Sequence, residues 1–287
     1  MNKTLCTCLL TGLFLQGSAQ AHQDPDETSA KANNEIPFEL RDGFLLVVQG
    51  RIAQHKDLKF VLDTGATYSV VNRRLAERLS ARRRTGRVLN FNRTVTVEFA
   101  EFSEVQFGPV DVHNASLIIS DLVDSSHSDD VDAVIGLDLL RLSKGLCIDY
   151  ASRKIIFRQI STNRADVLTQ HASPFLLMQV MLQGQPAKLL VDTGMKGILL
   201  YEDRLRKRLP SIKLDGELRG VRLGYLLVTQ VKFAGISLGN REAERTVFLM
   251  KGPSEGFTNI DGYLGTSALN ARQVELDFEE NTIAWRE

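Results

Sequence analysis

The sequence is short of three things that would each have named a class of protein. It has no excess of either charge: Lys and Arg number 35, Asp and Glu number 35, and the formal net charge is zero. A chain so balanced carries no electrostatic footprint for nucleic acid phosphates and no acidic tail, so no nucleic acid partner is expected. It has no apolar run of the roughly 20 residues needed to cross a bilayer core of about 30 Å, so no stable membrane insertion is expected. It is poor in cysteine, with Cys6 and Cys8 near the start and Cys147 alone thereafter. Once the start is removed no intramolecular disulfide can form, and the apolar setting of Cys147, between Leu146 and Ile148, reads as a buried, inert thiol. No histidine falls into a pattern with a serine or cysteine nucleophile. The acidic loop from Asp124 to Asp132 lacks the fixed ligand spacing of a metal site. Neither a metal nor an organic cofactor is expected.

The start of the chain has its own pattern. Lys3, an apolar stretch from Leu5 to Leu15, and Ser18-Ala19-Gln20-Ala21 have the layout of a signal peptide cleaved after Ala21. The mature protein is therefore expected to be exported, periplasmic or secreted, with residues 22–35 a polar, flexible leader.

Beyond Ile36 the chain repeats itself. Phe60-Val61-Leu62-Asp63-Thr64-Gly65 returns as Leu189-Leu190-Val191-Asp192-Thr193-Gly194. Each copy is followed by an amphipathic basic stretch, Asn72 to Leu79 and Glu202 to Leu209, whose leucine spacing predicts a short helix. Val134-Ile135-Gly136 answers Tyr263-Leu264-Gly265, each glycine standing at one and the same distance beyond its aspartate. Both copies close alike, Ile148 to Phe157 matching Leu276 to Trp285, as hairpins. Runs of Val, Ile, Phe and Leu make strands dominant. The reading is an all-β, bilobal chain: lobe one at 36–160, a linker at 161–172, and lobe two at 173–287.

Two D-T-G turns make chemical sense together. Hydrolysis of an amide without a metal or covalent intermediate needs a base for water and an acid for the carbonyl oxygen or leaving amine. Two carboxyls about 3 Å apart cannot both ionise easily and share one proton, so the pair does both jobs. An apolar strand brings each aspartate to a tight turn, where glycine admits close backbone approach and N–H groups hold the inner oxygens. The later apolar-apolar-Gly strand packs beneath its own turn. A lone D-T-G arises by chance in about one chain in twenty of this length at average composition; two in register leave chance at roughly one in several hundred.

This arrangement is similar to that of pepsin-like and retropepsin-like aspartic peptidases, over nearly the whole mature chain. Asp63-Thr64-Gly65-Ala66-Thr67, Ile135-Gly136-Leu137-Asp138-Leu139-Leu140 and Ile148-Asp149-Tyr150 resemble bacterial retropepsin-like domains more than pepsin. The resemblance implies that Asp63 and Asp192 bind the attacking water, that Thr64 and Thr193 interlock across the lobes, and that Gly65 and Gly194 bond substrate backbone. Ala66, Thr67, Met195 and Lys196 are the flanking candidates for substrate contact. Pepsin-like enzymes carry Ser or Thr after D-T-G; Ala66 and Met195 remove both hydroxyls and are expected to raise the pair's pKa values. Met195 and Lys196 make the second turn less regular. A covering hairpin is expected in each lobe, at about 82–96 and 214–226, with Gly86, Gly216, Gly220 and Gly224 as mobile turns. The expected activity is that of an aspartic endopeptidase acting on a polypeptide substrate, a monomer working as a pseudo-dimer. The alternative is a catalytically weak or inactive peptide-binding or regulatory protein on the same fold.

Overall fold

The computed structural model describes residues 13–14, 34–90, 93–121, 130–160, 175–210, 215–223, 226–239, 241–251 and 260–286. The expected linker at 161–172, and the signal peptide and leader apart from 13–14 and 34–35, lie outside these residues. The two-residue β1 (Leu13–Phe14) pairs antiparallel with Leu89 and Asn90.

The repeat in the sequence becomes a repeat in topology. In the first lobe β2 (Glu35–Arg41), β3 (Leu45–Ile52) and β4 (His55–Leu62) run as a meander, and β5 (Val70–Asn72) leads into α1 (Arg73–Arg78). A long hairpin follows, β6 (Arg82–Asn90) with β7 (Arg93–Phe107), continued by β8 (Val110–Ser120). Then come β9 (Ala133–Ile135), α2 (Leu137–Leu140) and the closing hairpin of β10 (Gly145–Asp149) and β11 (Lys154–Phe157). The second lobe repeats the plan with β12 (Leu177–Leu182), β13 (Gln185–Asp192), β14 (Ile198–Tyr201), α3 (Glu202–Arg208), β15 (Asp215–Leu223), β16 (Leu226–Leu238), β17 (Arg241–Met250) and β18 (Gly262–Gly265). It closes with the hairpin of β19 (Gln273–Asp277) and β20 (Thr282–Arg286).

In both lobes the strand that ends at the D-T-G turn lies parallel to the apolar-apolar-Gly strand, β4 with β9 and β13 with β18. The strand after the turn is antiparallel to the glycine strand and parallel to the next, β5 to β8 and β14 to β17. Strand order around each turn is thus the same, which is why the two turns have the same geometry.

The helices are placed by caps and charge. Asn72 caps α1, its side chain accepting from the Arg74 N–H at 2.9 Å, and Leu75 and Ala76 turn inward. In α3 no side chain caps the start, but Glu202 and Asp203 occupy the first turn and Arg206, Lys207 and Arg208 the last, each matching the helix dipole.

What the repeat could not foretell is how the lobes join. β10 pairs antiparallel with β19, so the closing hairpins merge into one sheet that crosses the lobes. The register centres on Cys147 opposite Glu275, with Gly145 opposite Asp277 and Asp149 opposite Gln273, as a two-fold relation demands. The main apolar core runs through both lobes. A second, smaller cluster lies in the first lobe alone and includes Val61, Ala66, Val70, Ile118 and Val134, with Val88 of β6 upon them.

Candidate active site

Asp63 follows β4 directly and Asp192 ends β13, and both are fully buried (0% exposed). Their backbones are pinned by the neighbouring strand: the Asp63 N–H donates to the Ile135 carbonyl at 2.9 Å, and Asp192 lies in parallel register with Gly265. The inner oxygens are held within each turn. Gly65 N–H donates to Asp63 Oδ1 at 2.8 Å, and Gly194 N–H to Asp192 Oδ1 at 2.7 Å.

The two turns interlock through their threonines. The Thr64 hydroxyl donates to the Val191 carbonyl at 2.8 Å and accepts the Thr193 N–H at 3.1 Å. The Thr193 hydroxyl donates to the Leu62 carbonyl at 2.8 Å and accepts the Thr64 N–H at 3.0 Å. Each hydroxyl is satisfied twice, in a buried setting where such bonds hold best. The grip brings the carboxyls of the two turns against each other, near enough for each to shift the other's ionisation. Their Oδ2 atoms are enclosed and meet no N–H or hydroxyl donor among the described residues. Gly194 passes so close to the opposite carboxyl that a Cβ there would stand 2.7 Å from Asp63 Cγ, a contact only glycine avoids.

Burial sets the electrostatics. Desolvation pushes Asp63 up to about 6, against the pull of its bonds to Asp192 and to the Gly65 and Ala66 N–H groups. Asp192 is pushed up further, first by burial and then by the charge of Asp63. The direction agrees with the expectation from Ala66 and Met195; the dominant cause is burial rather than the lost hydroxyls. Two carboxyls with one proton between them are the arrangement needed to activate water and protonate a carbonyl oxygen together.

The glycine strands brace the turns as expected. A Cβ on Gly136 would stand 2.8 Å from the Ala66 carbonyl oxygen, and the Leu137 N–H donates to that oxygen at 2.8 Å. Sequence reasoning missed a second brace in the first lobe. Asp138 accepts from both the N–H and the hydroxyl of Ser69, at 2.9 and 2.6 Å, while the Gly136 N–H donates to the Ser69 hydroxyl at 3.0 Å. Burial pushes Asp138 up to about 6 despite these donors. In the second lobe Ile198 and Ser267 hold these places, and one bond remains, from the Gly197 N–H to the Ser267 hydroxyl at 3.3 Å. The contrast of G-L-D with G-T-S was the available signal.

The flanking candidates divide. Ala66 and Met195 are buried, Ala66 in the smaller cluster and Met195 in the main core. Thr67 and Lys196 are half-buried. The Thr67 hydroxyl is enclosed and meets no hydrogen-bond partner among the described residues. A hairpin stands at each expected covering position, β6 with β7 and β15 with β16. Gly86 is not in its turn but within β6, its Cα against the Phe99 ring; Gly216 and Gly220 likewise lie within β15, and Gly224 lies outside the described residues. Arg82, Arg83 and Arg84 are exposed and face Glu101 and Glu77. Among the described residues no group of three or more His, Cys, Asp or Glu is placed to hold a metal ion.

Residues 48–142 match the family described as gag-polyprotein putative aspartyl protease. The matched span holds Asp63, the β6–β7 hairpin and the Gly136 strand. With the all-β bilobal fold, the match supports an aspartic peptidase of retropepsin-like kind, and a protease function in general. No curated protein matches the chain.

Proposed function

We propose that this retropepsin-like chain is an aspartic endopeptidase whose single active site is shared between two fused lobes, 36–160 and 173–287, joined by a linker at 161–172. The observation that carries the reading is the buried pair itself: one carboxyl from each lobe, set against the other, each inner oxygen held by a turn glycine, the turns locked by Thr64 and Thr193. The pair holds one proton at rest, and the steps are written for the state in which Asp192 carries it and Asp63 is the base. Asp63 takes a proton from water as the water oxygen attacks the scissile carbonyl carbon, and the proton on Asp192 passes to the carbonyl oxygen. The product is a neutral tetrahedral diol. As it collapses, one diol hydroxyl returns its proton to Asp192, the C–N bond breaks, and the proton on Asp63 goes to the leaving amine.

The substrate is an extended polypeptide laid across the cleft. Because the carboxyls are sealed in this structure, a covering hairpin must lift to admit it. Ala66, Thr67, Met195 and Lys196 flank its path. Each lobe gives one half-site, so one chain suffices, and the signal-peptide pattern ending at Ala21 supports export to the periplasm or beyond.

The test is cleavage of a mixed peptide library by the purified chain from pH 3 to 8, beside Asp63→Asn and with a pepstatin-type inhibitor. Cleavage by the unaltered chain that the substitution abolishes is the expected result. Peptide binding without cleavage in either form would replace the enzyme with a peptide-binding protein.

A further inference from the structure

Strand alternation places Val61 on the same face of its strand as Asp63, two residues on. Val134 stands beside Val61 in parallel register, Val70 beside Val134, and Ile118 beside Val70. With Ala66 from the turn, these residues are part of the smaller apolar cluster, which also takes in Phe44, Leu45 and Phe99 and is distinct from the main core; Val88, Val95 and Val97 of the β6–β7 hairpin lie on it. Lifting that hairpin bares a floor of small and β-branched side chains next to Asp63.

The second lobe has the same register and different contents. Leu190 shares a strand face with Asp192, Tyr263 stands beside Leu190, Leu199 beside Tyr263, and Phe248 beside Leu199, with Met195 from the turn. At all five places the second lobe carries the larger side chain: Leu for Val61, Met for Ala66, Leu for Val70, Phe for Ile118, Tyr for Val134. All five are buried in the main core. Tyr263 is also pinned, the Tyr201 hydroxyl donating to its hydroxyl at 3.1 Å with the rings edge to face. Side chain for side chain, these five take up more of the space beside Asp192 than their counterparts take beside Asp63.

We propose that the two halves of the cleft are unequal: the first lobe takes a bulky apolar side chain next to the scissile bond, and the second accepts only a small one. The preferred substrate therefore carries one large apolar and one small residue flanking the cut. The inference rests on the aspartic peptidase reading for the cut itself, but size preference is also read by binding.

Four dodecapeptides that differ only in the central pair (Phe-Ala, Ala-Phe, Phe-Phe, Ala-Ala) are measured for binding to Asp63→Asn by calorimetry and for cleavage by the unaltered chain with product mass analysis. A mixed peptide should bind roughly tenfold tighter than Phe-Phe and than Ala-Ala, and be cut between the two central residues. Met195→Ala should raise Phe-Phe to the level of the best mixed peptide, and Ala66→Met should abolish the preference for a large residue. Phe-Phe or Ala-Ala bound as well as the mixed peptides, or no binding of any peptide, overturns the inference. The expected order in binding with no cleavage upholds the unequal cleft and overturns the peptidase reading instead.

Discussion

Thr64 and Thr193 show how much a single side chain can carry when it faces the other half of the molecule. Replacing Thr64 with Val keeps the shape but strips the Val191 carbonyl and the Thr193 N–H of a partner inside the protein. Each buried orphan costs about 1–3 kcal/mol, so urea unfolding should show a loss of about 2–6 kcal/mol; a loss below about 1 kcal/mol would mean the grip is not what aligns the turns. The carboxyls make a pH prediction. For the proposed peptidase the working form holds one proton, and burial raises Asp63 to about 6. As pH falls through about 6 the base becomes protonated, so kcat/KM should fall; a profile peaking below about pH 3.5 would contradict the burial argument. Asp138 predicts the opposite quantity, stability. Its folded pKa, about 6, lies above its ordinary 3.8. The stability it contributes is complete below about pH 4 and lost as pH rises through about 6, by about 3 kcal/mol. Asp138→Asn is neutral throughout, so its unfolding free energy relative to the unaltered chain should improve by about that amount between pH 4 and 7. A constant difference would show that Asp138 ionises normally. At this scale the aspartates, threonines and glycines of the turns were legible, because each is tied to its motif. Ser69 with Asp138 was not, since nothing in a lone Ser and a distant Asp says that a turn folds them together.

Elements follow a different logic. The two helices and the closing hairpins could be read from leucine spacing and from apolar runs, because their periods are local. Hairpins stand at both expected positions, but two-residue alternation and not glycine accounts for the first. Glycine reads as a turn signal, whereas Gly86 lies in β6 because Phe99 occupies the space a side chain would need, 2.7 Å from where its Cβ would stand. Phe99 is itself held, buried in the smaller cluster with Arg84 stacked 4.2 Å from its ring centre. Gly86→Ala should therefore cost about 1–3 kcal/mol through overpacking and loosen the hairpin, seen as faster amide exchange in β6 and β7. Unchanged exchange would mean that the ring yields freely.

For the whole molecule, the duplicated halves announced two lobes, and the strand that welds them stayed hidden. Alternation reveals which way a strand's side chains point but not which strand lies beside it. Ile148 and Val274 face each other across the weld, both fully buried. Val274→Asp should separate the lobes while each keeps its own sheet, so that cleavage is lost and the molecule expands in small-angle scattering with circular dichroism little changed. Retained compactness would move the cohesion of the lobes to the threonine grip.

The same weld has a consequence for what this chain avoids. A residue on the axis of a true dimer must meet its own copy, but here Cys147 meets Glu275, and the arginines that hold equivalent places, Arg158 and Arg286, both reach that one carboxylate, at 2.6 and 3.9 Å. Two first lobes meeting by this strand would set thiol against thiol and leave two guanidinium groups without an anion. Two second lobes would set carboxylate against carboxylate, directly across a strand pair where like charges repel. Only unlike halves satisfy the seam, so each lobe is matched to the other kind and mismatched to its own.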